Sequence, residues 1–325
     1  NGVSPIQEKQ MVTQKGNNTY VVGITGNFDD AQTAVKKMFN DKAMEEELDK
    51  AGFQFSSANS INWGRVLPQL VYYISAYCDL IRDEKITPDQ PVNICVPTGN
   101  FGNILAAYYA LEMGLPIKQL ICASNRNNVL TDFLHTGTYD RNRTFYNTMS
   151  PSMDILISSN LERLLFALTG DPAEVKGYME QLAGTGRYQV SEKLREKLKK
   201  YFKGYSCDDH TTQQTIRAMY NKHGYLIDTH TAVAFSALEQ YRNETGDQAP
   251  AIVASTASPF KFCSSVLEAL GETNIASGLD ALDQLSAKTG QPAPAPLAGL
   301  RGKEIRFTQV VEKDRMVDAV RSLLG

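Results

Sequence analysis

Histidine and cysteine are scarce: four histidines, and five cysteines at Cys78, Cys95, Cys122, Cys207 and Cys263, in 325 residues. No CxxC pair and no cysteine–histidine cluster occurs, so the sequence offers no metal site. An odd cysteine count without a signal-like opening segment fits a reducing cytoplasm rather than a disulfide framework. Charge of one sign is lacking too. The net charge is -3 and the basic residues are scattered, which leaves no electrostatic case for a nucleic-acid partner. The densest basic cluster, KLREKLKKYFK at 193–203, alternates apolar and basic residues at helical spacing and reads as a solvated amphipathic helix. No apolar run approaches membrane-spanning length, so no membrane partner is expected. Internal repeats are missing as well.

What remains is ordinary globular material, 42% hydrophobic and 21% charged, enough for about two domains. The opening residues, Asn1-Gly2-Val3-Ser4-Pro5, carry no methionine and lead at once into a helical pattern, as if entering the middle of a fold. Residues 20–24 read as a strand, and 31–39 as a helix with Asp29 and Asp30 at its start. Residues 61–82 form a long helical pattern that is apolar nearly all round, hence buried, with Pro68 as a kink and Ser60 as its cap. PVNICV at 91–96 is a continuous apolar strand of the parallel-sheet kind. A Gly-rich turn follows, then a helix over 104–113 and a strand over 118–123, completing a βαβ crossover. Ser150 to Asp154 would cap a helix running to Leu168. A second buried strand lies at 249–255, and a strand at 304–307 with a helix at 317–324 closes the chain.

Three segments have chemistry to offer. Gly99-Asn100-Phe101-Gly102-Asn103 lies between a buried strand and a helix start, where unpaired backbone N–H groups and the helix dipole attract a phosphate without any basic side chain. It lacks the Lys-Ser/Thr of a P-loop and departs from GxGxxG, which disfavours nucleoside triphosphates and dinucleotides. On local chemistry alone, such a turn is structural as readily as it is ligand-binding. Ser255-Thr256-Ala257-Ser258-Pro259 follows the second buried strand, where ligands sit in open α/β sheets. A hydroxyl there would bond a heterocyclic nitrogen, or equally cap a helix. Asn62 and Arg65, three apart near a helix start, share a face, and the arginine suits an anionic substrate.

Taken in order, SSANSINWGR, VPTGNFGNILAAYYALEMGLPI, SPSMDILISSNLERLLF and ASTASPFKF resemble segments of threonine synthase, in its longer bacterial and fungal branch. GVSPIQEKQM, GNFDDAQ and DTHTAVA fit as well, so the likeness runs from the first residues to about Val266. The resemblance implies an α/β, three-layer, mostly parallel fold of the tryptophan-synthase-β-like, fold type II class. It implies pyridoxal 5'-phosphate (PLP) as cofactor, and a lyase reaction converting the small-molecule substrate O-phospho-L-homoserine and water to L-threonine and phosphate. Residues 1–58 would be a remnant of the smaller domain and 59–325 the larger, phosphate-binding one. Gly99, Asn100, Phe101, Gly102 and Asn103 would cradle the cofactor phosphate, Thr256 would bond the pyridine nitrogen, and Asn62 and Arg65 are candidate substrate contacts.

The sequence also departs from the family. Asn103 stands where the family usually has aspartate, and Ser258 where it often has histidine. The family's Schiff-base lysine lies in a PT-x-x-FKD segment followed by an SGDTG-like loop, and neither occurs in these 325 residues. Lys261, in SPFKF, matches a different family segment. The expectation is therefore a chain truncated at its amino terminus, whose partner would be the missing amino-terminal segment of the same protein. Alone it would bind PLP weakly and without turnover. The alternatives are a catalytically dead relative that binds a phosphorylated small molecule or a partner, and another fold type II lyase such as a serine/threonine dehydratase.

Overall fold

A computed structural model of the chain describes residues 3–26, 28–58 and 62–324. The chain divides into two compact units, Ala58–Pro259 and the combination of Asn1–Ser57 with Phe260–Gly325. The expected division, 1–58 and 59–325, set its boundary one residue later and kept 260–325 with the larger part. Two features tie that tail to the amino-terminal stretch. β1 (Gly23–Thr25) pairs in parallel with the last strand, Val310–Glu312. Met38, Met44 and Leu48 share an apolar cluster with Met316, Val317 and Val320. The last strand falls at Val310–Glu312 rather than at 304–307, because the N–H groups of Arg306 and Phe307 bond the Val12 carbonyl instead.

The unit Ala58–Pro259 holds a four-stranded parallel sheet. Its strands are β2 (Val92–Pro97), β3 (Ile117–Ser124), β4 (Phe202–Ser206) and β5 (Ala251–Val253), in the order β4-β3-β2-β5. All six residues of β2 are buried, as a central parallel strand requires. The pleat sends alternate side chains to opposite faces. Ile94, Val96, Leu120, Cys122 and Phe202 join one core with Tyr73 and Tyr77 of helix α1 (Leu70–Arg82) and Ile104, Leu105 and Tyr108 of helix α2 (Gly102–Glu112). Cys95, Ile121, Ala123 and Tyr205 join the other with Val233, Ala234 and Leu238 of helix α3 (Thr229–Thr245). Two apolar faces, each covered by helices, give the α/β three-layer arrangement.

Several sequence expectations are corrected. The 193–203 segment is a helix only to Tyr201. Phe202 begins β4, where its ring is buried between sheet and helices. The helix expected over 61–82 breaks at Pro68 into Trp63–Val66, a 3-10 turn Leu67–Gln69, and α1. It is also not buried all round. Val66, Leu70, Tyr73 and Tyr77 face the core, while Trp63, Leu67, Val71 and Tyr72 are exposed. Its proposed cap, Ser60, lies outside the described residues. Residues 150–168 form a 3-10 turn, Pro151–Met153, an irregular stretch, and then a helix from Leu161, not one continuous helix.

Candidate functional site

β2 ends at Pro97, and the chain turns through Gly99–Phe101 into α2. Phe101 adopts a left-handed backbone (φ 62°), a conformation costing a β-carbon-bearing residue about 1–2 kcal/mol. Burial holds it there: its ring is 1% exposed and lies 5.7 Å from that of Phe202. Phe101 is also the N-cap of α2, yet it offers no side-chain cap, and the first N–H bonded within the helix is that of Leu105, to the Phe101 carbonyl. The preceding N–H groups are left for a ligand, with the positive end of the helix dipole behind them.

Two loops clamp this turn. Ser158 Oγ donates to the Gly99 carbonyl (2.7 Å), and the backbone N–H and Nδ2 of Asn160 both donate to the Asn100 carbonyl (3.1 and 2.8 Å). In a trans peptide the C=O and N–H point opposite ways, so the N–H groups of Asn100 and Phe101 face away from that loop. On another side, the Ser152 carbonyl presses on Gly99 so closely that a β-carbon there would sit 2.7 Å from it. Only glycine fits. The Ser152 N–H in turn donates to His230 Nε2 (3.2 Å), and His230 Nδ1 bonds Asp228 Oδ1 (3.0 Å). Asp228 is wholly buried at the start of α3, where it also accepts from the N–H groups of His230 and Thr231 and from the Thr231 hydroxyl.

The irregular stretch before Leu161 is explained by these bonds and by a buried polar knot at its base. There Asp154 accepts from Asn125 Nδ2, Asn127 Nδ2 and the N–H of Thr148 at 2.8, 3.0 and 2.9 Å. Burial pushes the Asp154 carboxyl above the usual carboxylate range, against the Thr148 and Asn125 bonds that pull it down. A helix through 154–160 would break all of them.

Asn100 Oδ1 is buried without a partner. A carboxamide presents its oxygen or its two N–H donors by rotation about one bond, so this position suits an anion needing one more donor. Asn103 is held differently, its Oδ1 accepting from Tyr73 Oη at 2.6 Å. Burial drives the Tyr73 phenol far above its usual range, with Cys95 and Tyr72 adding to the shift, so it stays a donor.

Thr256 lies exposed three residues beyond the end of β5, and β5 pairs with β2 so that Val253 faces Cys95. The turn after β2 and the hydroxyls after β5 therefore leave the same edge of the sheet. The chain runs from β2 to β3 on one side, and β5 flanks β2 on the other, so this is the topological switch point where open α/β sheets bind ligands. Asn62 and Arg65 make local bonds. Asn62 caps its own turn by accepting from the Gly64 N–H, and the exposed Arg65 donates from Nη1 to the Ala58 carbonyl (2.9 Å). That turn packs through Trp63 on Tyr109, toward the far end of α2 from the cradle. A separate polar cleft of about 560 Å³, lined by Arg126, Ser206, Asp208, Glu239, Gln240 and Asn243, contains none of the motif residues. Among the described residues there is no His/Cys/Asp/Glu group that would hold a metal, and no helix long and apolar enough to cross a membrane.

The clamp residues Ser152, Ser158, Asn160, Asp228 and His230 carry no role in the sequence reading. Their signal was present in SPSMDILISSN and DTHTAVA, two of the family-like segments with no chemistry attached.

The chain is similar to several known proteins. The family model described as "Threonine synthase, C-terminal" matches residues 231–323. Threonine synthase-like 1 of Macaca fascicularis is 45% identical over 273 residues, covering 83% of this chain and 36% of that protein. Threonine synthase of Eremothecium gossypii is 39% identical over 285 residues, covering 82% of this chain and 54% of that protein. The chain belongs to the threonine synthase family. The solved structure of PLP-bound threonine synthase from Brucella melitensis superposes with a TM-score of 0.80 at 38% identity, over 99% of this chain and 62% of that one. The fold is thus that of fold type II PLP-dependent enzymes. This chain spans between about a third and two thirds of the length of the family members it matches.

Proposed function

We propose that this chain provides the phosphate-binding part of a PLP-dependent threonine synthase, which converts O-phospho-L-homoserine and water to L-threonine and phosphate. The observation carrying this reading is the uncapped helix start behind Phe101, with Gly99 locked against Ser152 and the partnerless Asn100 Oδ1 beside it. Backbone N–H groups from Gly99 to Asn103 hold the cofactor phosphate, and Thr256 meets the pyridine nitrogen. Bound PLP supplies an electron sink for negative charge developing on the substrate. A hydroxyl partner, unlike a carboxylate, leaves that nitrogen largely unprotonated. Asn62 and Arg65 remain proposed contacts for the anionic substrate. No lysine here matches the family's PT-x-x-FKD position, so these residues bind and orient the cofactor, and the lysine-bearing segment is the partner they require. The five free thiols support a reducing, cytoplasmic setting.

Titration of the 325-residue chain with PLP, read by cofactor absorbance, tests this reading. Saturable binding displaced by inorganic phosphate is expected, with no adduct surviving borohydride. Binding indifferent to phosphate, or a borohydride-stable lysine adduct, refutes it.

A second reading draws on two observations. Identity is higher to threonine synthase-like 1 than to the threonine synthase of E. gossypii, and Asn103 and Ser258 depart from the family pattern. It makes the protein a relative that binds a phosphorylated small molecule without turning it over. Phosphate release from O-phosphohomoserine, once the lysine-bearing segment is supplied, would eliminate it.

A further inference from the structure

We propose that His230 is a positioning residue for the phosphate cradle, acting through the peptide of Ser152. The inference rests on the reading that the Gly99–Asn103 turn takes a phosphate, and it concerns what holds that turn in shape.

A ring nitrogen that accepts a backbone N–H carries no proton. Because His230 Nε2 accepts from Ser152, the proton of a neutral imidazole sits on Nδ1, and the Asp228 carboxylate 3.0 Å away receives it. Asp228 cannot turn aside, since it is wholly buried and also accepts from two backbone N–H groups and the Thr231 hydroxyl. The ring is therefore fixed in one tautomer and one orientation, with a single acceptor aimed at the Ser152 N–H. The same residue's carbonyl bears on Gly99 with no room for a β-carbon. The Ser152 side chain is exposed; its turn is seated by the buried neighbours Ser150 and Met153, and the His230 bond fixes the orientation of the Pro151–Ser152 peptide within it. Two anchors then define the cradle: Ser158 and Asn160 orient the Gly99 and Asn100 carbonyls, while His230 fixes the wall that Gly99 lies against. An aspartate used only to cap α3 has no need of a histidine two residues on whose far nitrogen reaches another loop.

The test compares three variants of the full 325-residue chain. His230→Leu keeps volume but has no acceptor. His230→Asn is polar but too short to reach Ser152. His230→Gln places Oε1 near the Nε2 position and accepts again. Inorganic phosphate and PLP are the probes, with affinity measured by calorimetry and fold by circular dichroism and thermal melting. His230→Leu and His230→Asn should weaken both ligands about tenfold, the scale of losing one buried hydrogen bond. His230→Gln should stay within about threefold of the parent. If the leucine variant does not fold, the asparagine and glutamine pair decides. Equal affinities in all folded variants overturn the positioning role while leaving the cradle intact, and so does an equal loss in all three. Failure of the unsubstituted chain to bind either probe overturns the cradle reading and this inference with it.

Discussion

The two edges of the parallel sheet are built on opposite plans. At the amino edge, Asp247 gathers four donors. Oδ1 receives Lys118 Nζ (2.8 Å) and the Ala249 N–H (3.0 Å), and Oδ2 receives Asn93 Nδ2 (3.0 Å) and Tyr241 Oη (2.7 Å). One carboxylate thereby ties β2, β3, α3 and the entry to β5 together. At the carboxyl edge the chain leaves capacity open: a left-handed Phe101, a helix start without a side-chain cap, a partnerless Asn100 Oδ1 and an exposed Thr256. Closed polar networks fasten an edge, whereas open ones are left for a ligand to close. The contrast is not perfect, because Asn93 Oδ1 is itself buried without a partner.

Asp247→Ala should break the fastened edge with the largest effect. It strands three donors and an ammonium, and should lower stability by about 3 kcal/mol in denaturant melts. Phosphate affinity should stay unchanged, since no cradle residue is touched. The effect also carries a pH signature. Burial raises the Asp247 carboxyl, but the bonds from Lys118, Asn93, Ala249 and Tyr241 outweigh it and hold it well below the usual carboxylate range. A depressed folded-state value stabilises above the unfolded value of about 3.9 and loses that contribution as pH falls toward the folded value. The stability gap between parent and Asp247→Ala should therefore be full at neutral pH and narrow below about pH 4. A gap that widens in acid would contradict the assignment.

Gly99→Ala attacks the open edge. The new methyl would lie 2.7 Å from the Ser152 carbonyl oxygen and 3.3 Å from Met153 Cα, both backbone atoms that cannot simply rotate away. A cost of about 2 kcal/mol is expected, showing chiefly as lost phosphate and PLP affinity. If the variant binds phosphate like the parent, the turn is not the phosphate site.

How far the sequence announced these edges depends on the kind of interaction. The Gly-rich turn, the apolar strand before it and the hydroxyls after β5 are local, and each is visible within a few consecutive residues. β4 was hidden because Phe202 continues an amphipathic pattern whose helix ends one residue earlier. The irregular 154–160 stretch was hidden because its reason lies in Asn125, Asn127, Gly99 and Asn100, between 27 and 60 positions away. The same holds for the Ser152–His230 bond, which joins residues 78 positions apart. Local propensity announces the strands and the turn, but the bonds that clamp the turn are long-range, and single-sequence patterning does not carry them.

Asn103→Asp is the gentlest way to sharpen the comparison, because it restores the residue the family usually carries without changing shape. Two effects compete. A carboxylate in the first turn of α2 meets the positive end of the helix dipole and accepts a stronger bond from Tyr73, favouring the folded chain by about 0.5 kcal/mol. The same charge beside a phosphate dianion opposes binding. Because Tyr73 already holds the Asn103 side chain, the carboxylate would stay aimed at the phenol and its repulsion of phosphate would be muted, at about threefold or less. The expected pair of results is a slightly higher melting temperature and a slightly weaker phosphate affinity, the latter fading as salt is raised. A large loss of binding would place Asn103 among the groups that touch the phosphate. No loss at all would assign it to the Tyr73 anchor, leaving the backbone N–H groups and Asn100 to hold the anion.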